Sequence, residues 1–119
     1  MAIGKSIGEF SFKVTSVTYG ETSNQVNLHG TATGFGTVEG TITTRGEPGA
    51  TSGTCSSRAA AYLDDGKILN GVGEGTWETV GKHKWRIRAI NYVDGRTFAS
   101  DGVAELATQS YSGTLYEWS

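Results

Sequence analysis

A period of two runs through this chain, and it restricts the possible folds more than any other pattern in it. Phe10, Phe12 and Val14 alternate with Glu9, Ser11 and Lys13, and Val26 and Leu28 alternate with Gln25, Asn27 and His29. Successive side chains of a strand point to opposite faces, so this alternation describes half-buried β-strands. Turn signals interrupt it at Gly20-Glu21-Thr22-Ser23-Asn24, Arg45-Gly46-Glu47-Pro48-Gly49, Asp64-Asp65-Gly66, Val80-Gly81-Lys82, Asp94-Gly95 and Ala107-Thr108-Gln109-Ser110. A break or tight bend near Gly34-Phe35-Gly36 completes the set.

These breaks delimit segments 9–20, 24–34, 37–45, 53–63, 67–79, 84–93, 96–106 and 111–118. Connections this short join neighbouring antiparallel strands. The expected fold is therefore all-β, an antiparallel up-and-down β-barrel of about eight strands. We expect it to form one domain over residues 1–119. Ser57-Arg58-Ala59-Ala60-Ala61-Tyr62-Leu63 and Val103-Ala104-Glu105-Leu106-Ala107 carry good helix formers, and either could be a short helix instead. The chain holds 18 glycines, a level that can signal disorder, but three tryptophans, five tyrosines and four phenylalanines supply a core.

Ten basic residues against twelve acidic ones, without a run of like charge, leave no basic footprint for nucleic acid. The first eight residues, Met1 to Gly8, lack the apolar run of a signal peptide, and no later stretch approaches a membrane span. The expectation is a cytoplasmic protein that binds neither nucleic acid nor membrane. Cys55 is the single cysteine, which excludes an internal disulfide or a multi-cysteine metal site and reads as a small buried hydrophobe. His29 and His83 lie far apart with no carboxylate at ligand spacing, so no metal and no cofactor are expected. Gly71, Gly73 and Gly75 alternate within a strand rather than opening a helix, unlike the glycines of a phosphate-binding loop.

Register follows from the turns. An Asp94-Gly95 turn pairs Val93 with Arg96 and sets Arg88 opposite Asp101 and Lys84 opposite Glu105. Pairing Leu63 with Lys67 sets Arg58 beside Val72. If Trp77 pairs with Trp85, Glu74 faces Arg88 and Glu78 faces Lys84, giving two charge rows across three strands. If Leu106 pairs with Tyr111, Glu117 lies across from Ser100. The rows read as a solvated outer face held by cross-strand ion pairs. Were they to point inward, Glu74, Arg88 and Asp101 would form an acid/base cluster instead.

The opposite face collects Cys55, Ser57, Ala59, Ala61, Leu69, Gly71, Gly73, Gly75, Trp77, Trp85, Ile87, Ala89, Asn91, Phe98, Ser100, Gly102, Ala104, Leu106, Tyr111, Gly113, Leu115 and Glu117. Small residues beside large rings either collapse or leave a cavity, and the reading adopted is a cavity for a small apolar or aromatic ligand. Its candidate ligand-binding residues are Trp77, Trp85, Phe98, Cys55 and Ser100. An enzyme of isomerase, cyclase or lyase type is the alternative, with Glu117 as proton-transfer group and Asn91 or Tyr111 assisting. A third reading is a filled barrel acting by self-association. Ile68, Val72, Ile90, Tyr92, Val103, Tyr116 and Trp118 fall on the outer face, and that much apolar surface points to a homo-oligomer.

Gly73-Glu74-Gly75-Thr76-Trp77-Glu78, Trp85-Arg86-Ile87-Arg88, Asp94-Gly95-Arg96 and the closing Gly113-Thr114-Leu115-Tyr116-Glu117-Trp118 resemble, as a pattern of strands and turns over residues 53–118, small bacterial barrels of calycin or allene-oxide-cyclase type. The Gly-x-Trp that lipocalins and fatty-acid-binding proteins carry in their first strand comes here in the fifth, as Gly75-Thr76-Trp77. The resemblance implies binding of apolar small molecules. In the cyclase branch it implies steering of a reactive substrate by shape, with few catalytic groups.

Overall fold

Eight strands make up nearly the whole molecule. The computed structural model describes residues 3–118; Met1 and Ala2, on which part of the N-terminal reading rests, lie outside the described residues, as does Ser119. In chain order the strands are β1 (Ile3–Tyr19), β2 (Ser23–Ala32), β3 (Gly36–Arg45), β4 (Ser52–Tyr62), β5 (Ile68–Gly81), β6 (Lys84–Val93), β7 (Arg96–Glu105) and β8 (Ser110–Trp118). Each pairs antiparallel with the next and β8 pairs back onto β1, which closes an up-and-down barrel without a free edge.

Both segments with helical propensity are extended. Ser57 to Tyr62 lies in β4 and Val103 to Glu105 in β7, while Leu106 and Ala107 turn the chain toward β8. Ladders on both sides, to β3 and β5 for the alanine run, outweigh a preference worth only tenths of a kcal/mol per residue. Among the described residues no helix is long and apolar enough to cross a membrane.

Register matches the turn-based expectation at two hairpins. Val93 faces Arg96, Arg88 faces Asp101 and Lys84 faces Glu105; Tyr62 faces Ile68 and Arg58 faces Val72. At two others the partners differ by two residues. Trp85 lies opposite Thr79 instead of Trp77, so Glu74 faces Ile90 and Glu78 faces Arg86. Tyr111 lies opposite Ala104 instead of Leu106, so Glu117 faces Phe98, and Ser100 faces Leu115. The turn residues explain both differences: His83 and Gln109 adopt φ of 56° and 49°. Left-handed backbone at a non-glycine residue moves the point of reversal within a turn whose place the sequence marks but whose register it does not.

A slip of two leaves every side chain on its own face. The charged rows accordingly lie outside, re-partnered by the shift. Lys84 Nζ meets Glu105 Oε1 at 3.1 Å directly across the ladder, whereas Arg88 donates to Glu78 Oε1 at 2.9 Å on a diagonal. Arg86 Nε donates to Asp101 Oδ1 at 2.9 Å. This hydrogen bond holds the Asp101 carboxyl below the usual carboxylate range, against the opposing pull of partial burial. Glu74 and Arg58 are exposed, and so are Ile68, Val72 and Tyr92 beside them.

The barrel interior holds Phe10, Leu28, Phe35, Ile42, Cys55, Ala61, Ile87, Phe98, Tyr111 and Leu115, all buried. The first three strands reach it by the same alternation as the rest. In β1 a bulge between Val14 and Ser16 then hands the inward position on to Val17, which faces Val26.

Candidate functional site

The interior is not filled. A cavity of about 140 Å³ lies within it, and every strand contributes to its lining: Phe10 from β1, Leu28 from β2, Val38 from β3, Cys55 from β4, Leu69 from β5, Ile87 from β6, Phe98 from β7 and Tyr111 from β8. The volume is close to the roughly 150 Å³ of an engineered cavity that stays dry and takes up benzene. Its size follows from residue choice on three adjacent strands. Ser57, Ala59 and Ala61 on β4, Gly71 and Gly73 on β5, and Ala89 on β6 all line the cavity, and none fills the space a Leu or Phe would.

One end is covered by Phe35. It occupies the turn between β2 and β3, flanked by Gly34 and Gly36 with φ of 83° and 73°. Side-chain-bearing residues adopt that conformation at a cost, so the glycines allow the chain to fold the ring back over the barrel mouth. The Phe35 ring is 5.4 Å from that of Phe98, and the Arg96 guanidinium lies 4.8 Å from its centroid. A cation over an aromatic face is attracted by the ring quadrupole, which favours the covered position.

The other end is occupied by Trp77. Its indole N–H donates to the Arg45 carbonyl at 2.9 Å, and the ring lies so close to Gly53 that a Cβ there would come within 2.6 Å of Nε1. Trp77 packs against the core but does not line the cavity. Trp85, second residue of β6 and next to the His83 turn, is half-buried at the barrel end and also stands apart from the cavity. Of the five candidate ligand-binding residues, Phe98, Cys55 and Ser100 line it and the two tryptophans do not.

The candidate catalytic residues divide in the same way. Asn91 and Tyr111 line the cavity, whereas Glu117 is exposed near the end of β8, against Gly4 of β1. The β7–β8 register sets it beside Phe98 at the rim rather than beside Ser100. The proton-transfer arrangement of Glu117 with Asn91 or Tyr111 is therefore not assembled.

What is assembled is a short polar strip inside the apolar cavity. Asn91 Nδ2 donates to Ser100 Oγ at 3.0 Å, and the Tyr111 phenol lines the same cavity. Burial pushes the Tyr111 phenol well above its ordinary value, reinforced by Cys55 and Asp101, with only partial relief from Ser100. Burial also raises the Cys55 thiol, more than Arg45 and the Gly75 backbone lower it. Both groups stay protonated at neutral pH, so neither is a ready nucleophile or base.

Alternation in β1 to β3 carries Phe10, Phe12, Leu28 and Val38, and these cavity residues were legible from the same period of two. Phe35 was not, because a phenylalanine between two glycines reads as a bend before it reads as a cover. His29 pairs with Glu39 on the outer surface at 3.4 Å. Among the described residues no three His, Cys, Asp or Glu side chains converge on a metal site. Comparison with protein-family models, curated proteins and solved structures finds no match for this chain.

Proposed function

We propose that this barrel binds a small apolar or aromatic molecule, of about one ring, in its central cavity. The observation that carries the reading is the 140 Å³ cavity itself, lined from all eight strands, between Phe35 and Trp77. An unfilled volume in a core forfeits dispersion contacts and costs stability, so a barrel that keeps one gains when a ligand of matching shape occupies it. Charged ligands fit poorly: Arg58 and Glu74 border the cavity but are exposed on the outer face, the side chains that point inward are apolar, hydroxyl, thiol or carboxamide, and an unpaired ion there would be desolvated without compensation.

Toluene tests this directly. Saturating toluene raises the thermal midpoint of the folded chain, and a ligand at one hundred times its Kd adds about 2.7 kcal/mol of stability. Ala59→Leu, which fills the cavity from β4, removes the response. A midpoint that toluene leaves unmoved, or one that rises equally in Ala59→Leu, refutes the proposal.

A further inference from the structure

We infer that the occupant carries one neutral hydroxyl on its ring, a phenol-like molecule, and that Ser57 and Asn91 read that hydroxyl over Gly73. This rests on the cavity being a binding site. Ser57, Gly73 and Asn91 face one another across β4, β5 and β6, and all three line the cavity. Gly73 is buried, and its missing Cβ is what lets the flanking side chains converge: a Cβ there would collide with Asn91 Oδ1 and lie 2.6 Å from Ser57 Oγ. Three adjacent strands thus bring two polar side chains together at one point of an otherwise apolar wall.

Two local rules of a stable barrel are broken at that point. Glycine inside a strand weakens it, and a carboxamide on an apolar interior costs free energy unless its groups are bonded. Sites where such rules fail together without a packing gain are where function is expected. Half of the Asn91 amide is committed, since Nδ2 donates to Ser100. Among the described residues no hydrogen bond engages Oδ1 or Ser57 Oγ, and no polar side-chain atom is sealed away from space without a partner. Oδ1 is thus an acceptor facing the cavity, and the Ser57 hydroxyl beside it can donate. A ligand hydroxyl satisfies both at once, donating to Asn91 Oδ1 and accepting from Ser57. A carboxylate cannot donate to Oδ1 and would find no cation inside, since Arg58 is exposed on the outer face, and a hydrocarbon leaves both groups unmet.

The experiment is a titration of the full chain with phenol, toluene and benzoate, followed by calorimetry, in the wild type, Asn91→Leu and Ser57→Ala. Phenol is expected to bind at least as tightly as toluene. Asn91→Leu lowers phenol affinity about tenfold, the effect of one lost hydrogen bond, and leaves toluene equal or tighter. Ser57→Ala lowers phenol affinity about threefold, and this milder variant carries the test if Asn91→Leu does not fold. Toluene binding with phenol excluded, phenol affinity indifferent to the substitutions, or benzoate equal to phenol overturns the inference while leaving the cavity reading intact. Failure of all three probes to bind overturns the proposed function itself.

Discussion

Two walls of the same cavity use glycine to admit different neighbours. On the side of β1, β7 and β8, Gly102 accepts rings: a Cβ there would fall 2.7 Å from Phe10 Cζ and 2.8 Å from Tyr111 Cε1. Phe10 in turn stacks on Phe12 at 5.4 Å and tilts against Tyr111 at 4.9 Å. On the side of β4 to β6, Gly71 and Gly73 border the open volume and admit only small groups: a Cβ would fall 2.6 Å from Val93 Cγ2 at Gly71 and 2.6 Å from Ser57 Oγ at Gly73. Removing a Cβ admits a neighbour on both walls, and the size of that neighbour decides whether the wall fills or leaves room. A cavity-lining glycine cannot be told from a packing glycine by residue type.

The largest contrast should come from truncating the packed wall. Phe10→Ala is expected to cost about 3–5 kcal/mol in chemical denaturation, because a buried ring is removed from a three-ring cluster. A loss below about 1 kcal/mol would mean that the two walls are equally loose.

Adding bulk separates the walls in the other direction. Gly102→Ala presses on two rings and on the Ser112 carbonyl and should destabilise by about 1–3 kcal/mol, whereas Ala89→Val on the open wall should change stability by less than about 1 kcal/mol. Equal penalties from the two substitutions would remove the distinction.

The smallest effect lies in the pH dependence. The Tyr111 phenol ionises near pH 10 in the unfolded chain and only at higher pH when buried, so its contribution is intact below about pH 10 and falls as pH rises further. Above that point the unfolded chain holds fewer protons than the folded one, which gives stability a negative slope with pH. Tyr111→Phe should flatten this alkaline limb. An unchanged limb would place the responsible group elsewhere.

Strands, turns and the inward set of β4 to β8, apart from Leu106 in the exposed β7–β8 turn and Glu117 exposed at the rim, were legible because burial imposes a period of two on the chain, and a pairing error of two residues preserves it. Glu74, Arg88 and Asp101 were correctly placed outside even though Glu74 was paired with the wrong residue. Exact partners were not legible at the β5–β6 and β7–β8 hairpins, since His83 and Gln109 take left-handed backbone that neither residue announces. The same two-residue difference decides the candidate site: it removes Glu117 from Ser100 and sets Trp85 against Thr79 near the barrel end. Chemistry at the rim depended on register, whereas Asn91, Ser100 and Tyr111 depended only on parity.

The seam between β1 and β8 bears on how the molecule is made. Ile3 pairs with Trp118, so the first strand waits for its second neighbour until β8 has been synthesised. Until then the growing sheet keeps two open edges, the state most exposed to pairing with other chains. The hairpins can form early from local contacts, but the last ladder must close the longest loop in the molecule, and such contacts slow folding. Vectorial synthesis therefore delivers a curled sheet first and a closed barrel last, and the cavity comes into being only at that final step.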